Sequence, residues 1–136
     1  MKTLLNIPTV SIPDAKARVE RFRRQLSGSM PESNIPRAVL IPIADILQII
    51  DKYQYVDEDG VTRNELRGVR AYFAVKQGDQ DLPDDVTALI VPVDLKGNDI
   101  VKDPELGEGE DDKTEIYDFT KPCPDQCDPE SPLFVV

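Results

Sequence analysis

The sequence predicts an α+β protein: a small antiparallel sheet with two helices packed on one face. Three observations carry this. Helical periodicity appears twice in the first half, over 13–27 and 44–53. Two β-rich runs, 69–76 and 87–94, follow with only an acidic loop between them, which predicts direct antiparallel pairing. A chain of 136 residues, 40% hydrophobic and 31% charged, has the length and composition for one modest core.

The first helix opens at Ser11-Ile12-Pro13-Asp14. Ser11 is the expected N-cap, Pro13 suits the first turn and Asp14 favours the positive end. Ala15, Val19, Phe22 and Leu26 fall on one face, and Gly28 is a natural stop. Lys16, Arg18, Arg21, Arg23 and Arg24 cover the rest. That basic surface reads either as a docking face for an acidic partner or as a solvated face balancing the acidic C-terminal half, and the solvated face is the reading taken. AVLIPI at 38–43 predicts a short strand over 38–42, with Pro42 ending it or marking an edge. The second helix is expected to bury Ile43, Ile46, Leu47 and Ile50, with Ile49 beside them.

QYVDEDGVTRNELR at 54–67 reads as a polar connection containing a turn. Asp57-Glu58-Asp59-Gly60 invites a calcium-loop reading, but Tyr55 and Leu66 occupy the positions where the first and last ligands belong. In the strand 69–76, Val69, Ala71, Phe73 and Val75 share one face, and Arg70, Tyr72, Ala74 and Lys76 the other. The strand 87–94 is apolar on both faces around Ala88-Leu89-Ile90-Val91, the pattern of a covered central strand. Gly97-Asn98 is expected to supply the positive-φ positions of a tight turn, with Ile100-Val101 as a short return strand. The stretch 102–115 reads as a disordered acidic loop or a weak cation site. Ile116 to Phe119 is the last strand candidate. Residues 1–10 form an N-terminal arm and 11–120 a single domain. Residues 121–136 form a Pro- and Cys-containing tail whose apolar end, Leu133 to Val136, packs on the body or meets a partner.

Charge is uneven. The formal net charge is −10, distributed as +4 over 1–37, −1 over 38–76 and −13 over 77–136. So acidic a C-terminal half repels phosphate backbones, so no nucleic-acid partner is expected. No apolar run approaches the roughly 20 residues that span a bilayer, and no cleavage site follows the N-terminal stretch; the expectation is a cytoplasmic protein without a membrane partner. With His absent, the commonest general base and metal ligand is missing, along with the Ser–His and Cys–His nucleophile pairs. No glycine-rich phosphate loop, G-x-S-x-G or H-E-x-x-H occurs. No cofactor is expected.

Cys123-Pro124-Asp125-Gln126-Cys127 is the one reactive-looking group. Its C-x3-C spacing differs from the C-x2-C of redox motifs and zinc knuckles. Free thiols, a small-loop disulfide, and half of a metal site completed by carboxylates or a second chain all remain open.

The order of these features resembles a family of small bacterial proteins. The shared elements are Ala15 to Phe22-Arg23, AVLIPIADILQII, Gly68-Val69-Arg70-Ala71-Tyr72-Phe73, Leu89 to Val93, the Gly97-Asn98-Asp99 turn and the Cys123 to Cys127 motif. The resemblance covers about residues 11–127. The inserts at 54–67 and 102–115 depart from its compact pattern. No activity comes with it. It implies that Arg70, Tyr72, Asn98, Asp99 and the two cysteines are the positions to inspect for a site.

Three functional readings follow. The first is a non-enzymatic interaction or accessory protein, with a protein partner or a homodimer. The second is a thiol, disulfide or metal-binding protein centred on Cys123 and Cys127. The third is a carboxylate enzyme with a cleft rimmed by Arg70 and Tyr72.

Overall fold

The computed structural model describes residues 6–31, 35–75, 86–102, 113–123 and 127–135. Helix α1 spans Ile12–Ser27. Strand β1 is Ala38–Leu40, followed by α2 over Ile43–Lys52. A hairpin of β2 (Gln54–Val56) and β3 (Thr62–Asn64) leads into β4 (Leu66–Val75) and β5 (Val86–Asp94); β6 is Lys121–Cys123. This is a small α+β fold. The strands form three two-stranded antiparallel ladders, β1–β6, β2–β3 and β4–β5.

The start of α1 follows its sequence signals: the Asp14 amide donates to Ser11 Oγ at 3.2 Å. Arg18 pairs with Asp14 one turn back at 2.9 Å. The buried stripe differs from the expected one. Phe22 is exposed and Arg23 is buried, donating to the Ile35 carbonyl at 3.4 Å. Arg23 is therefore not part of a solvated basic face. Its reach to a backbone acceptor lets a cation occupy an interior position that an apolar count assigns to its neighbour. In α2 only Ile49 is fully buried, while Ile43, Leu47 and Ile50 face outward. The predicted stripe is correct as a periodicity and wrong as a buried face.

Residues 54–67 fold into a hairpin rather than a plain connection. Tyr55 and Val56 on one arm face Thr62 and Arg63 on the other, all residues that suit strands. Gly60, at φ 78°, makes the turn. The Asp57 carboxylate accepts from the Asp59 and Val61 amides, both at 2.9 Å, and pairs with Arg63. Its oxygens therefore serve the turn. The hairpin is tied to the end of α2: Asn64 Nδ2 donates to the Ile50 carbonyl at 2.8 Å, and the Glu65 amide to the Tyr53 carbonyl at 3.0 Å.

The β4–β5 ladder runs from Leu66 opposite Asp94 to Val75 opposite Val86, with a bulge that leaves Arg67 unopposed. The two strands sit in different surroundings. In β5, Ala88, Ile90, Val91 and Val93 are all buried. In β4, Val69, Phe73 and Val75 are 41%, 83% and 58% exposed. The stripe expected to face the core is thus uncovered. The reason lies on the far side of β5. There, Tyr117 exchanges both backbone hydrogen bonds with Ile90 at 2.9 Å, and the Thr120 hydroxyl bonds both backbone groups of Ala88. The segment 117–120 makes β5 interior and leaves β4 at the margin. Of the strand expected over 116–119, Tyr117 alone forms a bridge.

Beyond β5 the chain turns sharply. Gly97 takes φ 90°, and it alone supplies the left-handed position, because no non-glycine residue among those described has positive φ. Asn98 contributes its amide instead: Asp94 Oδ1 accepts from the Lys96 and Asn98 amides at 2.9 and 3.0 Å. Asp99 then bridges back to Val93. The C-terminal segment returns to the body. Arg37 lies 3.9 Å over the Phe134 ring and donates to the Val135 carbonyl, and Val135 is buried. The arm before Asn6, Lys76, the loop 77–85 and the acidic run 103–112 lie outside the described residues.

Candidate functional site

β4 and the turn after β5 bring three of the predicted residues together. Arg70 Nη1 pairs with Asp99 Oδ1, and the Tyr72 hydroxyl donates to Asp99 Oδ2. Arg70 Nη2 also reaches the Gly97 carbonyl at 3.4 Å. The two side chains share a face of β4 because their positions differ by two. Asn98 stands aside: its backbone amide donates to the Asp94 carboxylate and its carbonyl accepts from the Asp94 amide. The Tyr72 and Asp99 contacts push the Arg70 guanidinium pKa further up, so it is a fixed cation. Both Asp99 oxygens are engaged. This trio braces the turn against β4 and presents no free acid or base. Two clefts of about 300 and 370 Å³ occur elsewhere, and neither is lined by Arg70 or Tyr72.

A second constellation was not anticipated. Glu115 is 1% exposed, accepts from Lys52 Nζ through Oε1, and accepts from the Tyr117 hydroxyl through Oε2. Lys52 also stands 5.8 Å from the centre of the Tyr53 ring. Among the described residues the buried Tyr53 hydroxyl meets no partner in good hydrogen-bond geometry, although the Glu115 carboxylate stands close to it. Burial first, then the nearby Glu115 carboxylate, pushes its pKa well up. Beside this group lies the smaller cleft, lined by Asp45, Gln48, Ile49, Lys52, Tyr117, Asp118 and Phe119. The one available signal was the Glu115/Tyr117 spacing of two, which places a carboxylate and a phenol on one face of an extended segment. Assigning Glu115 to the acidic loop concealed it. Chemically the group is a buried lock between α2 and the segment after 113: a paired anion, with its cation half in solvent.

Cys127 is disulfide-bonded, in a chain whose other cysteine is Cys123. No free cysteine occurs among the described residues. A disulfide sulfur provides neither a thiolate nucleophile nor a thiolate metal ligand, so Cys127 in this state supports neither the free-thiol nor the metal reading. Among the described residues no group of three or more carboxylates and cysteines is placed to hold a metal ion. None of their helices is long and apolar enough to cross a membrane.

No family model, curated protein or solved structure matches the chain.

Proposed function

We propose that this chain is a non-enzymatic interaction or accessory protein whose docking surface is the outer edge of β4 and its apolar stripe. The observation that supports this reading is the contrast within one ladder: β5 is buried on both faces, while Val69, Phe73 and Val75 on β4 lie open. An exposed ten-residue edge strand with apolar side chains is a template for strand addition, and proteins that have no use for such an edge blunt it. Between Val69 and Val75 there is no proline and one charge, Arg70, which its own Asp99 neutralises. The absence of His and the engagement of both Asp99 oxygens favour binding over turnover.

A photoreactive residue at position 73, in protein expressed in its source cells, tests this. A covalent adduct with a polypeptide is expected there. None is expected from the same probe at Val61, which is also exposed but lies on the small hairpin. No adduct at 73 overturns the reading.

The disulfide at Cys127 supports a second reading, a protein that exchanges disulfides through its C-terminal segment. It predicts a mixed disulfide on incubation with glutathione, detected by intact mass. A bond that resists exchange is structural and removes this reading.

A further inference from the structure

The β4 edge has a direction that its ladder fixes. Ala88, Ile90 and Pro92 of β5 point their backbone groups away from β4, toward Thr120, Tyr117 and Ile100. Their partners across the ladder are Phe73, Ala71 and Val69. In an antiparallel ladder, residues opposite one another either exchange both hydrogen bonds or turn both sets outward. Phe73, Ala71 and Val69 therefore turn their N–H and C=O groups to the outer edge of β4. Arg70, Tyr72 and Ala74 turn theirs inward, as the Thr87 contact with the Ala74 carbonyl at 3.5 Å agrees. No backbone bond from the outer edge occurs among the described residues.

The stretch Val69-Arg70-Ala71-Tyr72-Phe73-Ala74-Val75 is close to symmetric about Tyr72 in its apolar pattern. Laid antiparallel on itself with a two-fold axis at Tyr72, it sets Ala71 against Phe73 and Val69 against Val75 of a second copy. Both pairs have outward-facing backbone groups, so both close with two hydrogen bonds. Tyr72 meets Tyr72, and Arg70 meets Ala74, as non-hydrogen-bonded pairs. Every parity agrees, no like charges face each other directly, and the apolar residues of both copies share one face.

We infer that the occupant of the β4 edge is a second copy of this chain, joined β4 to β4 about Tyr72 into a four-stranded antiparallel sheet. This rests on the reading of β4 as the docking surface and names its partner.

Sedimentation equilibrium of the wild-type protein is the first measurement, and a reversible dimer in the micromolar range is expected. Ala71→Pro deletes one outward N–H while leaving the inward bonds to β5, so it should give a monomer with unchanged circular dichroism. Tyr72→Cys should join across the axis on mild oxidation, since about 4.5 Å separates Cα atoms of a non-hydrogen-bonded pair, a distance a disulfide spans. Val61→Cys should not join. A wild-type monomer overturns the inference, as does a dimer in which Tyr72→Cys fails to join or Ala71→Pro changes nothing. The photoprobe at position 73 separates the two levels: a monomer that still forms an adduct with a different polypeptide overturns the second copy and leaves the docking surface, and a monomer without an adduct overturns both.

Discussion

Lys52, the last residue of α2, and Glu115, sixty-three positions later, form an ion pair whose carboxylate is 1% exposed and whose ammonium side chain is 35% exposed. The pair joins a helix end to the segment that runs on to flank β5. Its two halves are not equivalent. Removing the cation leaves the anion buried beside the Tyr117 hydroxyl, whereas replacing Glu115 by Gln removes the buried charge, keeps one carbonyl acceptor for Lys52 and sets an amide donor against the Tyr117 hydroxyl, whose oxygen can accept from it. Lys52→Met is therefore expected to cost about 3 kcal/mol and Glu115→Gln about 1–2 kcal/mol. Urea denaturation of both, and of the double variant, checks this. The double variant should lose less than the two single losses combined. Equal single losses that simply add would count against a coupled buried pair.

Tyr53 makes the next prediction because its buried hydroxyl, close to Glu115, meets no partner in good hydrogen-bond geometry among the described residues. An unsatisfied buried donor costs free energy that Phe does not incur, so Tyr53→Phe should stabilise the protein by about 1 kcal/mol. The pH dependence has a definite sign. The native phenol's pKa is held above its ordinary value of 10.0, by burial first and then by Glu115. The unfolded chain releases that proton near the ordinary value. Stability contributed by this group is therefore complete below pH 10 and falls as pH rises beyond it. Tyr53→Phe should flatten that alkaline loss, and thermal melts on either side of the ordinary value measure it. A destabilised Tyr53→Phe would show that the hydroxyl has a partner in solution.

How far the sequence reaches is clearest at these positions. Helix starts and turns are local, so Ser11, Pro13, Gly60 and Gly97 could be read directly. The meeting of Arg70 and Tyr72 with Asp99 was foreseeable in part: a spacing of two put the first pair on one face, and the turn after the second strand had to fall near it. Burial was harder, because it depends on which neighbour covers a face. Phe73 alternates as a core residue should, yet it is 83% exposed and no described segment pairs with the outer edge of β4, since 117–120 takes the other side of β5. Arg23 and Glu115 are buried charges, which composition assigns to the surface, and partners 12 and 63 residues away help make them tolerable inside.

The two left-handed glycines separate a local backbone cost from a cost to the predicted site. Gly60 has φ 78° with open space around its missing Cβ, and Gly97 has φ 90° with Arg67 Nη1 at 3.4 Å. Ala at either position meets the left-handed penalty of about 1–2 kcal/mol, and the free end of Arg67 can give way at the second. The difference lies in what each turn positions. Gly97 lets the chain close over the Asp94 carboxylate and return, so that Asp99 stands beneath Arg70 and Tyr72. In the native protein the exposed Arg70–Asp99 pair should show a small, salt-sensitive coupling in a double-mutant cycle. Gly97→Ala should bring that coupling near zero, because the turn no longer delivers Asp99 to the strand, while Gly60→Ala should leave it intact. Coupling that survives Gly97→Ala would mean that Asp99 is held by its bridge to Val93 rather than by the turn.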